Sequence, residues 1–295
     1  MASALAMVSR GAAFAPIRSH IDLGDGQGTY TIPGVLPEAD IMTVKVISIR
    51  PENPGRGLRR LQGFVSAFEA STGRLIATLD SAAATEVRTS ACTALSIRLM
   101  ARPDADVLAV FGTGPQAMAH LRTLRAVRHY GEVRVVGRTH ESAQTLANED
   151  PKLRTCTADE ALAGAGVVVT ATNSTRPVFE ATELAPGTHL AMVGSGGPHQ
   201  CEVPPALLGR AEAIRVDHRP TCLAESGEIV DAMAAGVIGP EVVRELGEVV
   251  LGRLPGRQTQ TGLTVYKSVG NGTQDAALAA ILLGITLPGP VRSGA

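Results

Sequence analysis

The stretch Phe111-Gly112-Thr113-Gly114-Pro115-Gln116-Ala117 has the spacing G-x-G-x-x-A. It follows the apolar run Val107 to Phe111. It opens a segment, Pro115 to Val127, with Ala117, Met118, Leu121, Leu124 and Val127 at helical spacing. In a strand–turn–helix, the first Gly permits the tight turn. The second lets backbone approach a pyrophosphate, and a small third residue lets helix and strand pack closely. The helix N-terminus then offers free N–H groups to an anion. Gly112, Thr113, Gly114, Pro115 and Gln116 are therefore candidate dinucleotide contacts. A second strand, Glu132 to Val136, ends in Gly137-Arg138-Thr139-His140 with no Asp or Glu at its tip to hold a ribose 2′-OH. Arg138 can pair with a 2′-phosphate and Thr139 can donate to it, so the expected cofactor is NADP(H) rather than NAD(H). The plainer alternative is a solvated Arg138. Thr172, Val193 and Gly194, at the ends of the next two strands, are further cofactor candidates.

Lys45 stands in the apolar run Val44 to Ile49. An ammonium there is costly if buried unpaired, and burial lowers its pKa toward a value suited to proton transfer. Its bland alternative is an outward-facing strand residue. Arg88, in Glu86-Val87-Arg88-Thr89, reads by itself as a helix-surface ion pair with Glu86 or another neighbour. Asp217 and Asp275 are weaker candidates, Asp217 serving equally as a cap. Glu228 reads as structural or helix-initiating.

These residues need elements to hold them. Gly28 to Leu36, Thr43 to Ile49, Leu61 to Glu69 and Leu75 to Leu79 read as strands, the last two joined as a hairpin through Ser71-Thr72-Gly73. Thr85 to Met100 reads as a helix buried on one side. From Asp106 strands alternate with helices. Glu141 to Asn148 is a helix, and Val167 to Thr172, His189 to Val193 and Ala213 to Asp217 are strands, implying a parallel sheet with right-handed crossovers. Ala276 to Leu287 has the length of one buried helix.

The chain's 295 residues, 44% apolar and 19% charged, suffice for one large or two modest domains. A net charge of −1, no Trp, 5 Phe and 3 Tyr argue against nucleic acid, which needs a basic field or stacking rings. Cys92, Cys156, Cys201 and Cys222 form no C-x-x-C pair and the histidines no H-x-x-x-H, so neither a disulfide framework nor a metal site is expected. A reducing, cytoplasmic location follows. No apolar run reaches about 18 residues, so no membrane association is expected. The leader, with Arg10 and Arg18 and no acidic residue before Asp22, faintly resembles a transit peptide; an Ala-rich start or loose tail is the plainer reading.

Several stretches then read together: Val44-Lys45-Val46-Ile47-Ser48, Pro51-Glu52-Asn53-Pro54, Ala77-Thr78-Leu79-Asp80, Glu86-Val87-Arg88-Thr89, Gly112-Thr113-Gly114-Pro115-Gln116, Pro186-Gly187-Thr188-His189, Glu245-Leu246-Gly247-Glu248-Val249 and Lys267-Ser268-Val269-Gly270. In this order, from about Pro16 to Leu283, the chain resembles the ornithine cyclodeaminase/μ-crystallin family. That resemblance implies an α/β protein with a Rossmann-type parallel sheet domain, residues 105–275. It would be inserted into a discontinuous α+β substrate and dimerisation domain, residues 1–104 plus 276–295, and the chain would form a homodimer. It implies that Arg18 (in Pro16-Ile17-Arg18), Lys45 and Arg88 bind a substrate carboxylate, with Lys45 also catalytic. Two departures stand out. The family ordinarily opens with a further strand and helix before the Pro-x-Arg region, where this chain has only Met1 to Ala15, so the first domain is expected to be N-terminally shortened. Gly196, in Val193-Gly194-Ser195-Gly196-Gly197-Pro198, stands where cyclodeaminases and alanine dehydrogenases of the family carry Asp. The expected activity is thus NADPH-dependent reduction of a cyclic ketimine such as a pyrroline- or piperideine-2-carboxylate. The alternatives are an amino-acid dehydrogenase, an ornithine or lysine cyclodeaminase, and a non-catalytic NADPH-binding protein.

Overall fold

The computed structural model describes residues 1–194 and 196–289. In chain order the elements are α1 (Ala2–Ser9), β1 (Ser19–Gly24), β2 (Gln27–Leu36), β3 (Ile41–Ile49), β4 (Leu61–Glu69), β5 (Leu75–Asp80) and α2 (Ser81–Met100). There follow β6 (Val107–Phe111), α3 (Pro115–Val127), β7 (Glu132–Val136), α4 (His140–Glu149), β8 (Leu153–Thr155), α5 (Ala158–Leu162), β9 (Val167–Thr170) and β10 (His189–Met192). The chain continues with α6 (Pro205–Gly209), β11 (Ala211–Val216), α7 (Arg219–Glu225), α8 (Gly227–Ala234), β12 (Val243–Glu245), α9 (Leu246–Val250), β13 (Leu263–Lys267) and α10 (Gly272–Leu282). Two compact units result, one formed by Met1–Arg88 with the chain from Gly270 onward, the other by Thr89–Val269.

The first unit is built on an antiparallel sheet in the order β1-β2-β3-β4-β5. Burial alternates along β3: Ile41, Thr43, Lys45 and Ile47 are buried, Met42, Val44 and Val46 only partly so. This is the period-2 signature of a strand with one face on a core. The covering element is α10, whose apolar side joins Leu36, Ile41 and Ala67 in one cluster. Close approach explains two glycines: a Cβ on Gly34 would stand 2.1 Å from the Gly272 carbonyl carbon, and one on Gly272 2.2 Å from the Pro33 oxygen. Helix α1 joins the same cluster through Ala4 and Met7. The Ala-rich start is therefore an ordered, buried helix and not a loose tail; its small side chains allow close packing. Helix α2 begins at Ser81, four residues before the expected Thr85, because the Asp80 carboxylate accepts from Ala83 N at 2.8 Å and caps the first turn.

The second unit holds a parallel sheet in the order β12-β11-β13-β10-β9-β6-β7-β8. Strands β9 and β10 are buried along their whole length, as in a sheet covered on both faces. The order reverses at β6, flanked by β7 on one side and β9 on the other. Ligands of open α/β sheets bind at such a switch point, outside the carboxyl ends of the strands. Among the described residues no helix is long and apolar enough to cross a membrane.

Candidate functional site

In the first unit, Lys45 lies on the central strand β3, paired in register with Ile32 and Val65, and is 1% exposed. The outward-facing alternative is excluded by the strand's alternation. Its Nζ donates to Thr85 Oγ1 on α2 and lies 3.4 Å from Asp275 Oδ1 on α10. Thr43 Oγ1, two residues back on the same face, donates to Gly272 O at 3.0 Å, which pins the start of α10 to the strand and brings Asp275 opposite Lys45. Arg88, buried on α2, places Nε 3.6 Å from the same Asp275 oxygen and donates from Nη1 to Gln274 Oε1. Gly270, at φ +82°, leaves room for that guanidinium: a Cβ there would stand 2.3 Å from Arg88 Nη1.

Two buried cations thus flank one buried carboxylate, while Arg88 Nε and Asp275 Oδ2 have no hydrogen-bond partner. Burial lowers the Lys45 pKa to about 8; Asp275 opposes that shift, while Arg88 and Arg18 add to it. Arg18 is half-buried, its guanidinium carbon 5.3 Å from the centre of the Tyr30 ring, which stacks on His20. Arg18 therefore acts on Lys45 through its charge, from within the same unit. The three sequence candidates lie in one electrostatic neighbourhood, and Asp275, a weaker candidate, is its hub.

In the second unit, Gly112 adopts φ +122°, and its N–H donates to Val136 O at 2.8 Å. A Cβ there would stand 2.6 Å from Ala171 O, so the turn after β6 rests directly on the chain leaving β9. Gly114 is the N-cap of α3, Pro115 its first residue, and a Cβ on Gly114 would meet nothing within 4 Å. No protein packing therefore requires glycine there, whereas an approaching ligand would. Gln116 Oε1 is buried without a partner. An open glycine at the N-terminus of a 13-residue helix and an orphaned amide oxygen beside it fit a bound dinucleotide.

Arg138 is exposed at the tip of β7, and Thr139 caps α4, its Oγ1 accepting from Ser142 N at 3.2 Å. Val193 N donates to Thr170 O at 2.9 Å. Thr172 and Gly194 both hydrogen-bond to Glu202, a buried residue the sequence reading passed over. Gly196 N donates to Gln200 Oε1 at 2.7 Å, and Ser195 lies outside the described residues. Asp217 accepts from His218 N at 3.0 Å and from Ser268 Oγ at 2.8 Å, joining the end of β11 to the turn after β13. Glu228 pairs at 3.1 Å with Lys267, both fully buried. The signal for this pair was legible: Lys267 closes the apolar run Leu263 to Tyr266, as Lys45 sits within its own.

The family model described as "Ornithine cyclodeaminase/mu-crystallin family" matches residues 1–283. A Delta(1)-pyrroline-2-carboxylate reductase of Bacillus cereus is 30% identical over 275 residues, which is 90% of this chain and 84% of the relative. The structure of Thermococcus litoralis Delta(1)-pyrroline-2-carboxylate reductase in complex with NADH and L-proline aligns with a TM-score of 0.88 at 26% identity, covering 96% of this chain and 92% of that one. An archaeal alanine dehydrogenase dimer with bound NAD aligns with a TM-score of 0.89 at 29% identity, covering 96% and 88%.

Proposed function

The chain belongs to the ornithine cyclodeaminase/mu-crystallin family, and we propose that it reduces the C=N bond of a cyclic imino acid, a pyrroline- or piperideine-2-carboxylate, using NADPH in preference to NADH. The observation that carries this reading is the gathering of buried Lys45 and Arg88 around Asp275, with a guanidinium donor still unsatisfied. Arg88 and Lys45, with Arg18 adding charge, would take the substrate carboxylate; Arg supplies the planar fork and Lys a point charge. Lys45, with a pKa of about 8, holds a proton near neutral pH and would deliver it to the imine nitrogen. When bound, a reduced nicotinamide would supply the hydride that, with this proton, reduces C=N to CH–NH. The loop Gly112 to Gln116, with Thr172, Val193 and Gly194, would hold that cofactor, and Arg138 would pair with the 2′-phosphate.

The test is to follow nicotinamide absorbance with NADPH and a panel of cyclic imino acids. Oxidation that requires the imine supports the reading. The similarity to an alanine dehydrogenase favours a second reading, oxidative deamination of an amino acid, which would instead show NAD+ or NADP+ reduction with L-alanine. Ammonia release from ornithine without net cofactor change would mark a cyclodeaminase, a reading that Gly196 in place of the family's Asp disfavours. Cofactor binding without turnover would mark a binding protein.

The face of the first sheet turned away from α10 carries Met42, Val44, Val46, Phe64 and Phe68, none of them fully buried. A second copy of this chain is the proposed occupant of that face, by analogy with the relative described as a dimer.

A further inference from the structure

Glu202 lies in the loop between β10 and α6 and is fully buried. Its Oε1 accepts from Thr172 N at 2.7 Å and Thr172 Oγ1 at 2.8 Å. Its Oε2 accepts from Thr170 Oγ1 and Gly194 N, each at 2.9 Å. One carboxylate therefore ties the chain leaving β9 to the chain leaving β10. The approach is so close that a Cβ on Gly194 would stand 2.1 Å from Thr172 O and 2.5 Å from Glu202 Oε1.

The carboxylate is itself held. Glu202 N donates to Glu228 Oε1 at 3.1 Å, and Glu228 Oε2 accepts from Ser226 Oγ at 3.0 Å and pairs with Lys267 Nζ at 3.1 Å. Burial pushes the Glu202 carboxyl upward, the positive charge of Lys267 pulls it down, and Glu228 pushes it up. The net shift is upward, with burial as its main cause; each oxygen nonetheless faces a backbone N–H, which only donates, so both oxygens serve as acceptors.

Rossmann sheets consist of two halves, each serving one mononucleotide. Strands β6, β7 and β8, with the glycine turn and Arg138, form the first. Strands β9 and β10 belong to the second. We propose that Glu202 is a positioning residue for the second mononucleotide of the cofactor, setting the spacing of Thr172 and Gly194 without touching the reacting atoms. This rests on the dinucleotide-binding reading above.

The substitution Glu202→Gln keeps the shape but defeats both amide orientations. Oε1 and Oε2 each face a backbone N–H, so either placement points an amide NH2 at a donor. The test titrates the intact protein with NADPH, NADH, ADP and 2′,5′-ADP, with circular dichroism and melting to verify the fold. The expected result is at least tenfold weaker binding of the better dinucleotide, with binding of the better adenosine fragment within twofold of the parent. At saturating cofactor, kcat should hold within threefold while the cofactor KM rises. A general loss of structure would weaken fragment and dinucleotide alike, which overturns the proposal, as does a folded variant that binds the dinucleotide like the parent. Should Glu202→Gln not fold, Thr170→Val removes one side-chain donor to the carboxylate, at a residue given no cofactor contact, and leaves both backbone N–H bonds. A threefold or greater selective loss of dinucleotide binding is then expected, and no change overturns the proposal. A parent protein that binds neither dinucleotide overturns the functional reading itself.

Discussion

Lys45 is the residue on which the proposed chemistry turns, and its environment makes the pH dependence definite. Burial brings its pKa from the usual 10.5 to about 8, against the pull of Asp275. As the proton donor in reduction it works only when protonated, so kcat/KM for imine reduction should be flat below that value and fall as pH rises through it. The reverse, oxidative direction should show the opposite limb. Replacing Lys45 by Met should cost about 10²-fold or more in turnover while leaving cofactor affinity intact, measured by stopped-flow turnover and fluorescence titration. Asp275→Asn removes the charge that favours the ammonium, so the falling limb should move to lower pH; an unmoved limb would exclude Lys45 as the titrating group. The sign for stability follows from proton counting. Between about pH 8 and 10.5 unfolded Lys45 binds more protons than folded Lys45, so this group's contribution to stability rises with pH across that window. At the other site, Arg138→Ala should weaken NADPH by about tenfold or more and leave NADH unchanged, since one charge-assisted contact is worth about 1.5–3 kcal/mol.

At the scale of elements, the turn into α3 separates two demands that one motif combines. Gly112 is constrained by the protein: its φ of +122° and the nearby Ala171 carbonyl leave no room for a side chain. Gly114 is unconstrained by the protein. Gly112→Ala should therefore destabilise the fold by about 1–3 kcal/mol, read by urea denaturation. Gly114→Ala should melt like the parent and yet bind dinucleotide less well. If both variants lose stability equally, the open space beside Gly114 is not a ligand's space. Strand β3 separates two demands in the same way. One face gives Lys45 to the interior beside α10; the other gives Val44 and Val46 to the outside.

At the scale of the whole molecule, that outer face bears on assembly. Phe64 is 44% exposed, so Phe64→Asp should cost the monomer little. Sedimentation of the parent should give a dimer and of Phe64→Asp a monomer with an unchanged circular dichroism spectrum. A monomeric parent, or a dimeric variant, would place the interface elsewhere. The discontinuous course of the chain matters here as well. Helix α10 brings Asp275 to the first unit from the far end of the sequence, and the 40 and 230 residues that separate Lys45 from Thr85 and from Asp275 vanish in the fold.

Local patterns were enough for much of this. The apolar runs and the alternation of burial placed β2 through β7, and G-x-G-x-x-A placed the turn into α3, because each depends on neighbours within one element. Strand β1 was missed although Asp25-Gly26 marks its turn, since it is short, all exposed, and offers only Ile21 and Leu23 as apolar residues. Strand β13 was passed over although Leu263, Val265 and Tyr266 are local signals for it; what its distant partners β10 and β11 decide is its place in the sheet. The family was legible in the order of its motifs. What only the tertiary structure decided is which charges meet. Asp275 between Lys45 and Arg88, and Glu202 between Thr172 and Gly194, owe their roles to contacts across the fold. Spacing along a chain carries no record of such contacts, yet they govern the protonation and geometry of buried groups.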